Sequence, residues 1–136
     1  MARLVLDSSV AAAWCFPDEE TPYTEAVLLA VAAPAEALAP RLWAYEIRNS
    51  VLIGVRRNRI SPAHGKDFLD TLKRLPVRLA DPPSYDEVFD LAGQRGLTVY
   101  DAAYLDLATR EDLPIATVDD ALLRAARASG VEVFQP

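Results

Sequence analysis

Two carboxylates follow short apolar segments near opposite ends of the chain. Residues 4–6 are apolar and lead into Asp7, and residues 115–118 lead into Asp119. Because the carboxyl ends of parallel strands meet at one edge of a sheet, we expect the two side chains to lie close together. Clustered carboxylates raise one another's pKa unless a cation lies between them. If the middle of the chain supplies further acids to this edge, the pattern predicts a metal-dependent enzyme.

The middle of the chain contains two further acids with suitable positions. Glu46 shares a helix face with Asn49 and lies beside an apolar stripe, where a carboxylate is costly unless it meets a cation or hydrogen-bond donors. A solvated helix glutamate is the alternative. Asp101 comes three residues after Thr98, a spacing that a capping box would explain without any function. The helix that follows is apolar nearly all round, which predicts that Asp101 points towards the sheet edge.

Helix capping is also an alternative role for Asp7 and for the two acids that follow Thr117. Asp7 could cap the first helix, but the two serines that follow it could do so as well, and we therefore favour a functional role. Ser9 is then a candidate supporting hydroxyl. Thr117 and Asp120 have the spacing of a capping box, which explains Asp120 structurally. The sequence thus predicts Asp119 as the functional acid, with the threonine beside it.

Composition narrows the class of protein. The chain has 136 residues, 51% apolar and 25% charged, as expected for one globular domain over residues 1–136. The net charge of -6 argues against a protein that coats nucleic acid through broad electrostatics, but it does not exclude a nuclease with a cluster of acids. Cys15 is the only cysteine and His64 the only histidine, so neither a disulfide framework nor a zinc site is expected.

Neither a signal peptide nor a membrane-spanning segment is predicted. Only three apolar residues separate Arg3 from Asp7, and no apolar run approaches the ~20 residues that span a bilayer. We therefore expect a cytoplasmic protein.

Hydrophobic periodicity and the positions of proline and glycine predict alternating strands and helices. The predicted strands are residues 3–6, 38–39, 77–80, 114–117 and 131–134. The predicted helices are residues 8–16, 23–33, 42–59, 61–75, 84–94, 98–111 and 119–129. Such alternation indicates an α/β fold in which helices cover both faces of a parallel sheet.

Four short segments, taken in order, resemble the motifs of one known family. They are Val5-Leu6-Asp7-Ser8-Ser9, Tyr45-Glu46-Ile47-Arg48-Asn49, Tyr100-Asp101-Ala102-Ala103-Tyr104-Leu105 and Ala116-Thr117-Val118-Asp119. Together they resemble the PIN-domain family, and within it the VapC-type toxins of toxin–antitoxin pairs. The resemblance extends from Leu4 to about Phe134. It implies a three-layer PIN-like fold with a five-stranded parallel sheet between helices.

The resemblance also implies an activity, a cofactor and partners. A VapC-type toxin is an endoribonuclease that uses Mg²⁺ or Mn²⁺, and it is expected to pair with a cognate antitoxin and to form a homodimer. The four acidic catalytic and metal-binding places fall on Asp7, Glu46, Asp101 and Asp119. The supporting polar places fall on Ser9, Asn49 and Thr117. No required place is missing, whereas Asp106 and Asp120 are additional acids.

Contacts with RNA and with the antitoxin need further residues. Arg48, beside Asn49, is the candidate for substrate binding. Three arginines at the end of the same helix either bind RNA or stabilise the helix C-terminus; they are Arg56, Arg57 and Arg59. Four aromatic residues either pack in the core or form an apolar groove for the antitoxin; they are Trp14, Phe16, Trp43 and Tyr45. Single-stranded or loop RNA is the expected substrate form, because its unpaired bases can be splayed out and stacked on aromatic rings.

Three other classes of protein also place acids at strand ends. A phosphatase of the haloacid dehalogenase kind has a second aspartate two residues after the first, where this chain has Ser9. A receiver domain has paired acids after its first strand, where Leu6 precedes Asp7, and a late lysine that residues 115–117 do not supply. A PIN fold that only binds its partners would not need all four acidic places.

Overall fold

Four parallel strands form the central sheet of the protein, which a computed structural model describes over residues 1–136. The strands are β1 (Ala2–Leu6), β2 (Ala35–Pro40), β3 (Val77–Ala80) and β4 (Ile115–Ala116). Their order in the sheet is β3-β2-β1-β4, and every pairing is parallel. The chain therefore builds the sheet in one direction from β1 to β3 and then returns to place β4 on the other side of β1. In open parallel sheets, ligands bind at such a reversal, outside the carboxyl ends of the strands.

Seven helices flank the sheet, which confirms the predicted α/β class. They are α1 (Ser8–Ala13), α2 (Pro22–Ala32), α3 (Leu42–Arg56), α4 (Pro62–Leu72), α5 (Tyr85–Arg95), α6 (Val99–Glu111) and α7 (Asp120–Ala128). The predicted ends of α1, α3 and α4 were each three residues too late, because the last residues form turns. None of these helices combines the length and the apolar composition that crossing a membrane requires.

The predicted fifth strand is wrong. Residues 131–134 form a single parallel bridge, in which Ile115 N–H donates to Glu132 O over 2.9 Å and Phe134 N–H donates to Ile115 O over 2.8 Å. β4 has only two residues, so it is too short to form more than one bridge with residues 131–134. β2 has six residues where two were predicted. Pairing with strands on both sides overrides the weak strand preference of its three alanines.

The hydrophobic core surrounds β1 and β2 and includes most of α6. Leu4, Val5 and Leu6 are fully buried, as expected for a strand covered on both faces. On α6, Tyr104 and Leu105 are fully buried as well, so this helix is the buried one that the sequence predicts. The sheet edge that carries Asp7 is thus fixed by the best-packed part of the molecule.

The four aromatic residues considered for an antitoxin groove do not share one environment. Phe16 and Trp43 are buried in the core, and the Trp14 indole donates a hydrogen bond to Thr24 O over 2.8 Å. Tyr45, in contrast, is 79% exposed. Core packing therefore accounts for three of the four residues, and Tyr45 remains on the surface.

A close approach between helices occurs where Gly54 of α3 meets the Phe16 ring. A Cβ atom on Gly54 would lie 2.4 Å from Phe16 Cε1. The ring cannot move aside easily, because the Arg59 guanidinium lies 4.2 Å from its centroid and is itself paired with Asp18 and Glu19. α3, which carries Glu46, is thereby held in place against the segment that follows α1.

We predict that Gly54→Ala destabilises the protein by about 1–3 kcal/mol through overpacking against Phe16. Urea unfolding would measure this change. Gly93→Ala in α5 is the matched control, because no atom lies within 4 Å of its added Cβ. It should stabilise the helix by roughly 0.5–1 kcal/mol. If Gly54→Ala is neutral or stabilising, as Gly93→Ala should be, the proposed close packing is contradicted.

Candidate active site

Asp7 lies at the end of β1 and is almost completely buried, with 3% of its surface exposed. Its backbone N–H donates to Ala116 O over 2.9 Å, which joins the ends of β1 and β4. Asp7 occupies the N-cap position of α1, but its side chain makes no capping hydrogen bond. Instead, Oδ2 accepts hydrogen bonds from Ser9 Oγ at 2.5 Å and from Thr117 Oγ1 at 2.7 Å. The capping alternative for Asp7 is therefore not used.

The predicted capping box between Thr117 and Asp120 is wrong. α7 begins at Asp120, and Asp119 is its N-cap, since Asp119 Oδ1 accepts a hydrogen bond from Leu122 N–H over 2.8 Å. The Thr117 hydroxyl donates to Asp7 and accepts from Asp119 N–H over 3.0 Å, so it is unavailable as a cap. Asp119 thus combines a structural role with its place at the sheet edge, and Asp120 is exposed.

Glu46 is a half-buried residue of α3 with two hydroxyl donors. Its Oε1 accepts hydrogen bonds from Tyr104 OH over 2.7 Å and from Ser8 Oγ over 3.1 Å. These donors offset the cost of removing the carboxylate from water, so Glu46 is not a solvated helix glutamate. Ser8 and Tyr104 are not among the residues that the motifs predict for the site. A tyrosine in an otherwise apolar, buried helix was the available signal, because its hydroxyl needs a partner.

Asp101 lies in the first turn of α6 and is the least restrained of the four acids. Thr98 Oγ1 accepts a hydrogen bond from Asp101 N–H over 3.1 Å, as a helix cap should. The reciprocal bond of a capping box is not made, and the Asp101 carboxylate takes part in no hydrogen bond or ion pair. Capping therefore explains the threonine but not the acid.

Burial and electrostatic repulsion together raise the pKa values of three of these carboxylates. Burial raises the pKa of Asp7, with further contributions from the charges of Glu46 and Asp119, while its two hydroxyl donors act in the opposite direction. Burial also raises the pKa of Glu46. The pKa of Asp101 is raised to about 6, first by burial and then by the charges of Asp119 and Asp7. None of the ion pairs in the structure includes any of these acids.

The side chains suit a hard divalent cation by chemistry, although they are not preassembled around one. No group of three or more His, Cys, Asp or Glu side chains is arranged closely enough to hold a metal ion. The protein's hydrogen bonds engage only one oxygen each of Asp7, Glu46 and Asp119, and neither side-chain oxygen of Asp101. Five carboxylate oxygens therefore remain as donors, and oxygen is the ligand that Mg²⁺ and Mn²⁺ prefer.

The remaining predicted residues, Arg48 and Asn49, make no hydrogen bond to the acids. Arg48 Nη1 donates to Ala44 O over 2.8 Å, and the side chain lines an apolar cleft between α3 and α4. Asn49 is exposed one turn after Glu46 and makes no hydrogen bond to the site. The structure therefore does not bring Arg48 to the carboxylates.

The sequence matches the PIN domain family over residues 4–128. It is 34% identical over 125 residues to a protein named Ribonuclease VapC3 from Pyrobaculum aerophilum, and the alignment covers 86% of this chain and 89% of that protein. A protein named Exonuclease VapC9 from the same organism is 37% identical over 79 residues, which cover 58% of this chain and 59% of that protein.

Two solved structures have the same fold. The protein PAE2754 from Pyrobaculum aerophilum superposes with a TM-score of 0.72 at 27% identity, over 91% of this chain and 84% of that one. The FitAcB structure from Neisseria gonorrhoeae has a TM-score of 0.65 at 20% identity, over 98% of this chain and 97% of that one, and shows the fold alone.

With its parallel sheet, its acids at the strand ends and a family match over most of its length, the chain belongs to the PIN-domain family. The predicted likeness to its VapC-type members is confirmed by these relatives.

We predict that the metal-free protein is more stable near pH 5 than at pH 7. The folded pKa of Asp101, about 6, lies above the ordinary value of 3.8, so the folded state binds more protons between these values. The free energy of unfolding therefore falls as the pH rises through this range, and the raised pKa values of Asp7 and Glu46 act in the same direction.

Thermal unfolding in EDTA at pH 5 and at pH 7 would measure this change in stability. Asp101→Asn should gain most stability relative to the wild type at pH 7 and least at pH 5. An identical pH dependence for the two proteins would contradict the raised pKa of Asp101.

We predict that Tyr104→Phe destabilises the protein by about 1.5–3 kcal/mol, because it removes a buried donor to a charged carboxylate. Tyr23→Phe is the control, since the Tyr23 hydroxyl donates to the uncharged Phe134 O over 2.9 Å, and its loss should cost about 0.5–1.5 kcal/mol. Urea unfolding of a double-mutant cycle with Glu46→Ala, which leaves no acceptor for the hydroxyl, should give a clear coupling energy. Strict additivity would show that the Tyr104–Glu46 bond contributes nothing.

Proposed function

We propose that the protein is an endoribonuclease dependent on Mg²⁺ or Mn²⁺ that acts as the toxin of a toxin–antitoxin pair. The observation that carries this proposal is a set of four acids at the sheet edge, three with raised pKa values and none paired with a cation of the protein. Such a set is costly in the metal-free protein and becomes favourable when a divalent cation binds. The similarity to a protein named Ribonuclease VapC3 supports the choice of RNA as substrate.

Each acid has a proposed role in holding the cation. Asp7, Asp101 and Asp119 are proposed as its ligands, and Glu46 as a ligand directly or through water. When held by these acids, a divalent cation would lower the pKa of a bound water molecule and neutralise charge on the phosphodiester.

Neutral hydroxyls position the two carboxylates that lie deepest in the site. Ser9 and Thr117 restrain one oxygen of Asp7, and Ser8 and Tyr104 restrain one oxygen of Glu46. Hydroxyls leave the negative charge of the site intact, whereas a lysine or arginine in the same place would compete with the cation. This choice of donors supports a site that binds metal.

The partners of the protein are part of the proposal. By its resemblance to VapC-type toxins, we propose a cognate antitoxin that covers the acids, a homodimer and a cytoplasmic location. The name of the second relative, an exonuclease, makes the mode of cleavage a separate question. A circular single-stranded RNA would answer it, because only an endonuclease can open a circle.

We predict that the purified protein cleaves RNA only when Mg²⁺ or Mn²⁺ is present and that Asp7→Asn lowers the rate by about 100-fold or more, by analogy with other residues essential to an active site. Total RNA and a circular RNA would be incubated with and without metal, and the cut ends mapped. The matched control is Asp112→Asn, an identical chemical change at an exposed residue with φ of 52°, which asparagine tolerates.

The control should cleave at the wild-type rate. Full activity of Asp7→Asn would overturn the site assignment. If the wild type cleaves no RNA with either metal, the protein is better explained as a PIN fold that only binds its partners.

A further inference from the structure

Two exposed tyrosines immediately precede site acids on different helices. Tyr45 comes before Glu46 in α3 and is 79% exposed, and Tyr100 comes before Asp101 in α6 and is 64% exposed. The exposed Val118 lies on a third segment that carries site residues. Single exposed apolar residues are common on protein surfaces, but here three of them each immediately precede one of the four site acids in the sequence.

A contact between α3 and α6 brings the two helices that carry these tyrosines together at a site acid. Tyr104 OH donates to Glu46 over 2.7 Å, so this face of α6 meets α3 at the acid. Tyr100 lies four residues, about one turn, before Tyr104 and therefore on the same face of α6. Tyr45 is the immediate neighbour of Glu46 on α3. Both exposed tyrosines thus lie on helices that meet at Glu46, each next in sequence to a site acid, while Tyr104 is buried at the meeting point.

The net charge of the chain disfavours the usual way of holding a nucleic acid. Most proteins bind it by pairing lysine and arginine with phosphates. Here the net charge is -6, no ion pair reaches the acids, and Arg48 is bonded to its own helix. Arg59 is paired with two carboxylates elsewhere. Stacking of bases on aromatic rings needs no positive charge, and it tolerates any base sequence.

We infer that Tyr45 and Tyr100 are platforms on which unpaired RNA bases stack beside the acids. The bases of a duplex already stack on one another, so their faces are not available to the rings, in keeping with the single-stranded substrate that the family resemblance implies. This inference rests on the proposed ribonuclease function and names the side chains that hold the bases.

The test is a thermodynamic cycle that combines the removal of a tyrosine ring from the protein with the removal of the bases from the RNA. The probes are fluorescein-labelled U12, a 12-mer of abasic ribose-phosphate with the same charge, and an A12·U12 duplex. Binding is measured by anisotropy with Mg²⁺ in an Asp7→Asn background, which keeps the probe intact. Tyr45→Ala and Tyr100→Ala should each weaken U12 binding about ten-fold, the size expected for one stacked base. Neither should change binding of the abasic strand.

Two controls separate the ring from other effects. Tyr45→Phe and Tyr100→Phe keep the ring and should bind U12 as the parent does. Tyr85→Ala removes a tyrosine that is 75% exposed on α5, a helix that carries no site acid, and should have no effect. Because all three tyrosines are exposed, we expect every variant to fold, and thermal unfolding would check this.

The failure of this inference differs from the failure of the proposed function. Unchanged U12 binding by the alanine variants, equal losses for the abasic strand, or equal binding of U12 and the duplex would each overturn it, even if the wild type cleaves RNA. Unchanged binding would assign the exposed rings to a protein partner instead. If the wild type cleaves nothing while the ring-to-base coupling is observed, the stacking platforms stand and the nuclease proposal falls.

Discussion

The burial of one carboxylate without a cation determines how the rest of this site is built. Asp7 is held at the end of the central strand by core packing, and its charge meets only hydroxyl groups. An ionised carboxylate in such surroundings is unfavourable unless donors or a cation approach it. Thr117 is therefore drawn to Asp7, which in turn moves the cap of α7 from the threonine to Asp119. The need of one buried carboxylate for hydrogen-bond donors thus determines the contacts at the ends of β1 and β4 and at the start of α7.

The helices that cover the sheet provide donors for a second carboxylate. Glu46 receives its donors from α1 and α6, so its carboxylate links three helices through Ser8 and Tyr104. Asp101 receives no donor, and burial together with the charges of Asp119 and Asp7 raises its pKa to about 6. Hydroxyl donors thus fix one oxygen each of Asp7 and Glu46, whereas no donor fixes the carboxylate of Asp101.

Chain order and residue type were enough to predict the α/β class, the buried first strand and the sheet edge to which the acids belong, because these features follow from hydrophobic patterning. The cap of α7 could not be predicted, since two local patterns competed and a contact with Asp7, distant in sequence, decided between them. The length of β2 and the loss of the fifth strand likewise depend on neighbours in space. Tyr104 was visible as a polar atom in an apolar helix, but its partner was not.

The hydrogen bond between Thr117 and Asp7 joins residues that are 110 positions apart. A ribosome that adds about 5–20 residues per second needs on the order of ten seconds to synthesise the intervening chain. During this time the first strand, α3 and α6 emerge, but the last hydroxyl and the last acid of the site do not. The cluster of acids is therefore incomplete until nearly all of the domain has been translated.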